Sequence, residues 1–171
     1  MKAGTFFIRV WRVISILGLL LSLFSSYVSY PGAVAVRFNE IGQAVQYMSR
    51  ETIFYGAVAI FLINNTLINT VAKLFTRIPV SQIPIPNQPF WADHRAELNE
   101  IITNWFYAIM AAINTILGLA LFVLSLLNRS DLTATPINYA WLLPLSTLIL
   151  AAVLIALPVR LLIKPVAHDE R

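Results

Sequence analysis

The chain has 171 residues, 58 % of them hydrophobic and only 12 % charged, with a net charge of +4 and a mean hydropathy of +0.75. Soluble domains carry about 25 % charged residues, so the composition excludes a disordered chain and argues against an ordinary water-soluble globule. There is no cysteine, which excludes disulfides, thiolate nucleophiles, iron–sulfur clusters and cysteine-based zinc sites.

Four stretches without a charged residue run over 13–36, 52–72, 101–128 and 132–159. A helix needs about 20 mostly apolar residues to cross a hydrocarbon core of about 30 Å, and each stretch is long enough. In the first, residues 13–24 hold nine large apolar side chains. At about −0.3 to −0.6 kcal/mol each they favour insertion by roughly 3–5 kcal/mol. The stretch 78–92 is shorter and contains Pro79, Pro84, Pro86 and Pro89, which remove backbone donors and break helices. The sequence therefore predicts one integral membrane domain over 1–171, with spans near 7–29, 52–75, 101–127 and 140–162. The fold class is an all-α membrane protein, a four-transmembrane-helix bundle with a short extended, β-hairpin-like outer loop.

The first span has a second reading. Lys2, Arg9 and Arg12 precede an apolar run, and Ala33-Val34-Ala35 matches a small-x-small cleavage pattern, as in a secretory signal. The apolar run is long for a signal, and a retained anchor is the expectation. In the loop that follows, Val34, Val36 and Phe38 alternate with Ala35, Arg37 and Asn39, the period-two pattern of a strand. Asn39 to Gly42 carries turn chemistry. Ser49 before Arg50-Glu51-Thr52 reads as the N-cap of the second helix, with Glu51 favourable in its first turn.

The second span contains Asn64, Asn65, Thr66, Asn69 and Thr70, and the third Asn104, Asn114, Thr115 and Gly118. Asn65 and Asn69 are four apart and share a helical face. The expectation is that these amides tie the second and third spans together, each cross-helix bond contributing about 0.6 kcal/mol on average. The alternative is a polar cavity for an ion or small ligand. Ala108, Ala111, Ala112, Thr115 and Gly118 would let a neighbouring helix approach closely. No Asp, Glu, Lys, Arg or His falls deep in a span, which disfavours a proton-coupled transporter. Between these spans, the prolines of 78–95 favour extended segments. Phe90 and Trp91 are expected to dip into the membrane interface, and Asp93 to start the third helix. In the fourth span Pro144 is tolerable near a helix start, and Pro158 predicts a bend or an end.

Basic residues orient the bundle. With four spans, Lys2, Arg9, Arg12, Lys73, Arg77, Arg95, Arg160, Lys164 and Arg171 fall on one side, and Arg37, Arg50 and Arg129 on the other. The excess marks the cytoplasmic side, so both termini are expected inside, in a bacterial inner (plasma) membrane. No basic run with interleaved aromatics marks a nucleic-acid partner.

The pattern Pro31-x-x-Val34-x-Val36-Arg37-Phe38-Asn39-x-x-Gly42, followed by Tyr47 and Ser49, resembles the N-terminal domain of the SdpI-type bacterial immunity proteins. That domain of unknown function also occurs in many small membrane proteins. Its members often show a Pro-Asn-x-x-aromatic-Trp segment before a later helix, as Pro86-Asn87-Gln88-Pro89-Phe90-Trp91 does here. The resemblance covers about residues 10–125. Ala35 stands where members often carry Pro, and Arg37 where they often carry His, so a role resting on that His is not carried over. The resemblance implies a multi-span inner-membrane protein without a defined reaction, in a family whose namesake protects against a toxin and takes part in signalling.

Other chemistry is thin. His94 and Glu97 form an i, i+3 pair, but a metal site needs three or four converging ligands and the spacing shows none. Arg37, Glu40, Arg50, Glu51, Arg129 and Asp131 read as surface ion pairs or, alternatively, a ligand clamp. No nucleophile–base pair or phosphate loop stands out, and neither catalytic residues nor a cofactor is expected. The leading expectation is a non-enzymatic membrane protein acting by contact with membrane lipid, a protein partner or a second copy of itself. Its contact residues would be Arg37, Phe38, Asn39, Glu40, Phe90 and Trp91. The alternatives are an accessory subunit of a larger respiratory or transport complex, and a small-molecule transporter or membrane enzyme with a wet cavity lined by Asn64, Asn65, Asn69 or Asn114.

Overall fold

The structure, a computed structural model, describes residues 3–41, 43–128 and 140–163. Lys2, Gly42, Arg129, Asp131, Lys164, His168 and Arg171 lie outside the described residues, and with them part of the charge sorting and of the outer-loop pattern. The chain runs α1 (Ala3–Ser29), β1 (Ala33–Phe38), β2 (Ala44–Ser49), α2 (Arg50–Phe75), a 3₁₀ turn (Val80–Gln82), α3 (Gln88–Asp93), α4 (Arg95–Leu127) and α5 (Leu142–Leu162). Helices α1, α2, α4 and α5 are long and apolar enough to cross a membrane. Their outward surface agrees: Leu21, Val28 and Leu143 are each more than 70 % exposed, and a continuous apolar exterior of this kind needs a covering other than water. This is the build of an integral membrane protein.

Helix α4 is the axis of the bundle. Of its apolar stretch 39 % is buried, against 17 % in α1, 11 % in α2 and 6 % in α5. Helix α1 lies parallel to α4 along its whole length, and α2 and α5 pack antiparallel on it. The α1 seam is made by residues three or four apart: Ser15, Leu19, Leu23 and Ser26 are buried. They face the small-residue stripe of α4, in which Ala108, Ala111, Ala112 and Gly118 are buried. The close approach foreseen for that stripe is thus made by α1. Small side chains matter here because dispersion, with little hydrophobic drive, holds helices together in lipid. Helix α4 starts at Arg95, two residues after the foreseen Asp93, which instead ends α3, and its first turns, with Glu97 and Glu100, precede the apolar span near 101–127. Helix α5 starts at Leu142 and continues through Pro158 to Leu162.

The ends of α1 and α5 at Ala3 and Leu162 share one end of the bundle, called here the terminal end. The segment between α2 and α4 is not extended. It folds into a cap in which Val80, Ile83 and Trp91 pack against Leu98, Ile102 and Leu161. Three features shape it. Asn87 adopts a left-handed conformation, φ 56°, which asparagine tolerates better than most residues. The Gln88 side chain donates to Ile83 O at 2.7 Å. Arg95 Nη2 donates to the carbonyls of Phe75, Thr76 and Ile78 at 3.4, 3.0 and 2.5 Å, placing a cation where the end of α2 leaves carbonyls unpaired.

At the opposite end β1 and β2 form an antiparallel hairpin, with Ala33 opposite Ser49 and Phe38 opposite Ala44. The register is irregular between Ala35 and Phe38, so the foreseen alternation is imperfect: Val34 and Ala35 are both buried, while Val36 and Phe38 are half-buried. Ser49 caps α2 as its sequence position suggests, accepting from Thr52 N at 3.1 Å.

Candidate functional site

Three places on this frame carry polar chemistry. The first is a cluster of amides at mid-depth. With α2 and α4 each centred on the bilayer at 1.5 Å per residue, Asn64, Asn65 and Asn114 lie within about 5 Å of the helix midpoints. Asn64 Nδ2 donates to Asn114 Oδ1 at 2.9 Å and to Met110 O at 3.2 Å. Asn65 Nδ2 donates to Asn114 Oδ1 at 3.1 Å and to Phe61 O at 2.8 Å. Asn114 Nδ2 in turn donates to Asn65 Oδ1 at 3.1 Å. Asn114 is fully buried. One acceptor, Asn64 Oδ1, is buried without a partner. Asn69, foreseen as a member, is half-buried and makes none of these bonds. The amides therefore bond to each other and to backbone, and Asn64, Asn65 and Asn114 line neither of the two cavities below.

The second place is the hairpin. Its root is clamped to α4: Asn128 Oδ1 accepts from Ala35 N at 2.7 Å, and Asn128 Nδ2 donates to Ala35 O at 3.0 Å. Beside it the Tyr30 hydroxyl donates to Leu121 O at 2.8 Å. Burial pushes the Tyr30 phenol up to about 12, the Ser26 side chain only partly opposing it, so the group stays protonated and keeps donating. Asn39 builds the turn: its Oδ1 accepts from Ile41 N at 3.2 Å and Gln43 N at 2.8 Å. That explains the asparagine as a turn former. Arg37 and Glu40 are exposed and Phe38 half-buried. The sequence marked Tyr47 of the far strand only as part of the family-like pattern and not as a contact residue; in the structure Val45, Tyr47 and Met48 are exposed. Asn128→Ala removes both bonds of the clamp. We expect the amides of β1 to exchange about five- to thirtyfold faster with solvent deuterium, for about 1–2 kcal/mol lost, while those of α4 keep their protection.

The third place was not legible as a site in the sequence. At the terminal end Thr5 Oγ1 donates to Glu100 Oε1 at 2.6 Å, and Asn104 Nδ2 donates to Thr5 Oγ1 at 2.9 Å. This chain joins α1 to α4 and gives Asn104 a different partner from the mid-depth amides. A cavity of about 340 Å³ opens beside it between α1, α4 and α5, lined by Gly4, Thr5, Ile8, Glu100, Ile101, Asn104, Trp105, Ala108, Ala156, Leu157 and Arg160. A second of about 300 Å³ lies on the other side of Glu100 and Asn104, lined also by Arg9, Asn99, Thr103 and Tyr107. Arg12 sits over the Tyr107 ring, 4.2 Å from its centre, an attraction between cation and ring face. Trp105 Nε1 donates to Val153 O at 2.8 Å and so fixes α5 against the cavity wall.

Phe90 and Trp91 separate in role. Phe90 is half-buried and stacks on the His94 ring at 4.2 Å. Trp91 is 1 % exposed, enclosed in the cap, because α3 turns its ring inward toward Leu98 and Ile102. It is therefore a packing residue in this structure and presents no surface. Among the described residues no three His, Asp or Glu side chains gather as metal ligands. No family model, curated protein or solved structure matches the chain.

Proposed function

We propose that this integral membrane protein is non-enzymatic and works by contact, presenting its hairpin to a protein partner at the membrane surface. The observation that carries this reading is the pairing of a fixed root with an exposed far strand. Asn128, Tyr30 and the Gly32 carbonyl, which accepts from Arg50 N at 3.2 Å, hold the hairpin on the bundle, while Tyr47 and Val45 are both more than half exposed. A rigid platform loses little entropy on binding, and an edge with apolar side chains is suited to another chain. The resemblance of Val34 to Gly42 to the SdpI-type pattern supports a role in immunity or signalling, and the excess of basic residues at the terminal end supports a bacterial inner membrane with both termini in the cytoplasm.

The test places a photocrosslinking residue at position 47 of the full chain in its native membrane. We expect one discrete adduct, which Arg37→Ala with Phe38→Ala abolishes while membrane abundance stays unchanged. Asn39 is kept, since its loss would open the turn. An adduct at twice the chain's mass identifies a second copy as the partner. Crosslinks to lipid alone, unaffected by the double substitution, would refute the reading. Native mass measurement in mild detergent separates the accessory-subunit alternative, which requires fixed stoichiometry with larger subunits.

A further inference from the structure

We infer that the cavity between α1, α4 and α5 at the terminal end binds one zwitterionic aminophospholipid, its ammonium on Glu100, its phosphate on Arg160 and one acyl chain along the apolar wall. The inference is independent of the hairpin and rests on the depth and chemistry of the cavity.

Depth comes first. With each helix centred on the bilayer, Thr5 and Glu100 lie about 16 Å from the midpoints of α1 and α4, and Arg160 about 12 Å from that of α5. The hydrocarbon boundary is about 15 Å from the midplane. Three helices thus place their polar groups within about 4 Å of one another in depth, around the boundary where phospholipid headgroups begin. Below that level the wall is apolar, with Trp105 and Ala108 of α4 facing α5.

Charge then selects the ligand. The cavity holds one carboxylate and one guanidinium, and among the described residues no ion pair joins them. Glu100 accepts from Thr5, and a carboxylate has about four acceptor sites, so it has capacity for a further donor. An anionic lipid with no cation of its own would set its phosphate beside Glu100, a like-charge contact that disfavours it. A zwitterion satisfies both groups, and a primary ammonium offers N–H donors that a quaternary one lacks. Arg160, near the end of α5, can reach the headgroup layer with its long stem.

The experiment uses the purified full chain in detergent with equal amounts of phosphatidylethanolamine, phosphatidylcholine and phosphatidylglycerol, read by native mass spectrometry. We expect one phosphatidylethanolamine retained roughly tenfold over either other lipid, the effect of one charged hydrogen bond. Glu100→Gln keeps an oxygen for Thr5 and should bring the three lipids near parity. Ala156→Leu, outside the hydrogen-bonded chain, fills the wall and should lower retention of all three with an unchanged unfolding midpoint. It keeps the test decisive should Glu100→Gln fail to fold. Equal retention by the native chain, or a preference that survives Glu100→Gln, overturns the assignment. So does full displacement by O-phosphoethanolamine, which would make the headgroup alone the ligand.

Discussion

Leucine at position 118 will separate α1 from α4, whereas alanine will not. A Cβ built on Gly118 would lie 3.5 Å from Leu19 Cα, 3.7 Å from Leu19 N and 3.7 Å from Ser22 Oγ. These are ordinary contact distances, so a methyl group fits, but the next carbons would meet the backbone of α1, which cannot rotate away. Overpacking of this kind costs about 1–3 kcal/mol and sometimes more, and the obstacle here is main chain. The loss would spread along the seam, weakening the Thr5–Glu100 bond, the 3.2 Å bond from Trp11 Nε1 to Thr115 Oγ1 and the 2.8 Å contact between the Ser29 and Ser125 hydroxyls. The absence of cysteine gives a direct measurement. Ser29→Cys with Ser125→Cys should form a disulfide in the native background and lose it with Gly118→Leu. Gly18→Leu is the control on α1, where a Cβ meets nothing within 4 Å, and it should leave the crosslink intact. An undiminished crosslink in Gly118→Leu would show that this contact does not set the spacing of the two helices.

Much of this architecture was legible before any coordinates, for one reason: membrane insertion depends on composition summed over about 20 residues, which a single sequence displays. Charge-free runs located the helices, and Ser49 announced the start of α2. What was hidden depends on which helix faces which. Gly118 and Ala112 advertise a close approach without naming α1 as the partner. Asn64 and Asn114 announce a need for hydrogen bonds, yet Asn65 and Asn69 share a face, and which of them joins turns on the level along α2, about 6 Å between the two, at which α4 presents Asn114. Trp91 looked like an interfacial anchor because amphipathic rings near a span end prefer that depth, but Val80 and Ile83, read as loop residues, supply a core for it. The terminal cavity was the least visible of all. Glu100 and Thr5 are far apart in sequence, Arg160 further still, and each alone reads as an ordinary charged or polar group at a helix end. Only the packing of α1 and α5 on α4 brings them to one level.

The mid-depth amides give the second large effect, and its size does not grow in proportion to how many are removed. Asn114→Leu takes the shared acceptor from Asn64 and Asn65 and leaves Asn65 Oδ1 without its donor. The two amides keep their backbone acceptors, Met110 O and Phe61 O, so the cost should be about 1–2 kcal/mol and not the full penalty for several stranded groups. Asn65→Leu strands Asn114 Nδ2 in the same way and should cost about 1 kcal/mol. Removing both leaves neither half-bonded, and replacing a buried polar pair by apolar side chains of similar volume approaches neutrality. The double variant should therefore be more stable than the sum of its parts by about 0.6–1.7 kcal/mol, the range found for polar pairs between helices in lipid. Asn64→Leu should cost least of the single changes, since it also deletes Asn64 Oδ1, a buried oxygen that has no partner. Reversible unfolding in bicelles measures all four. If the Asn65 and Asn114 effects simply add, the amides do not act as a pair, and the wet-cavity alternative regains the support that their mutual bonding removes.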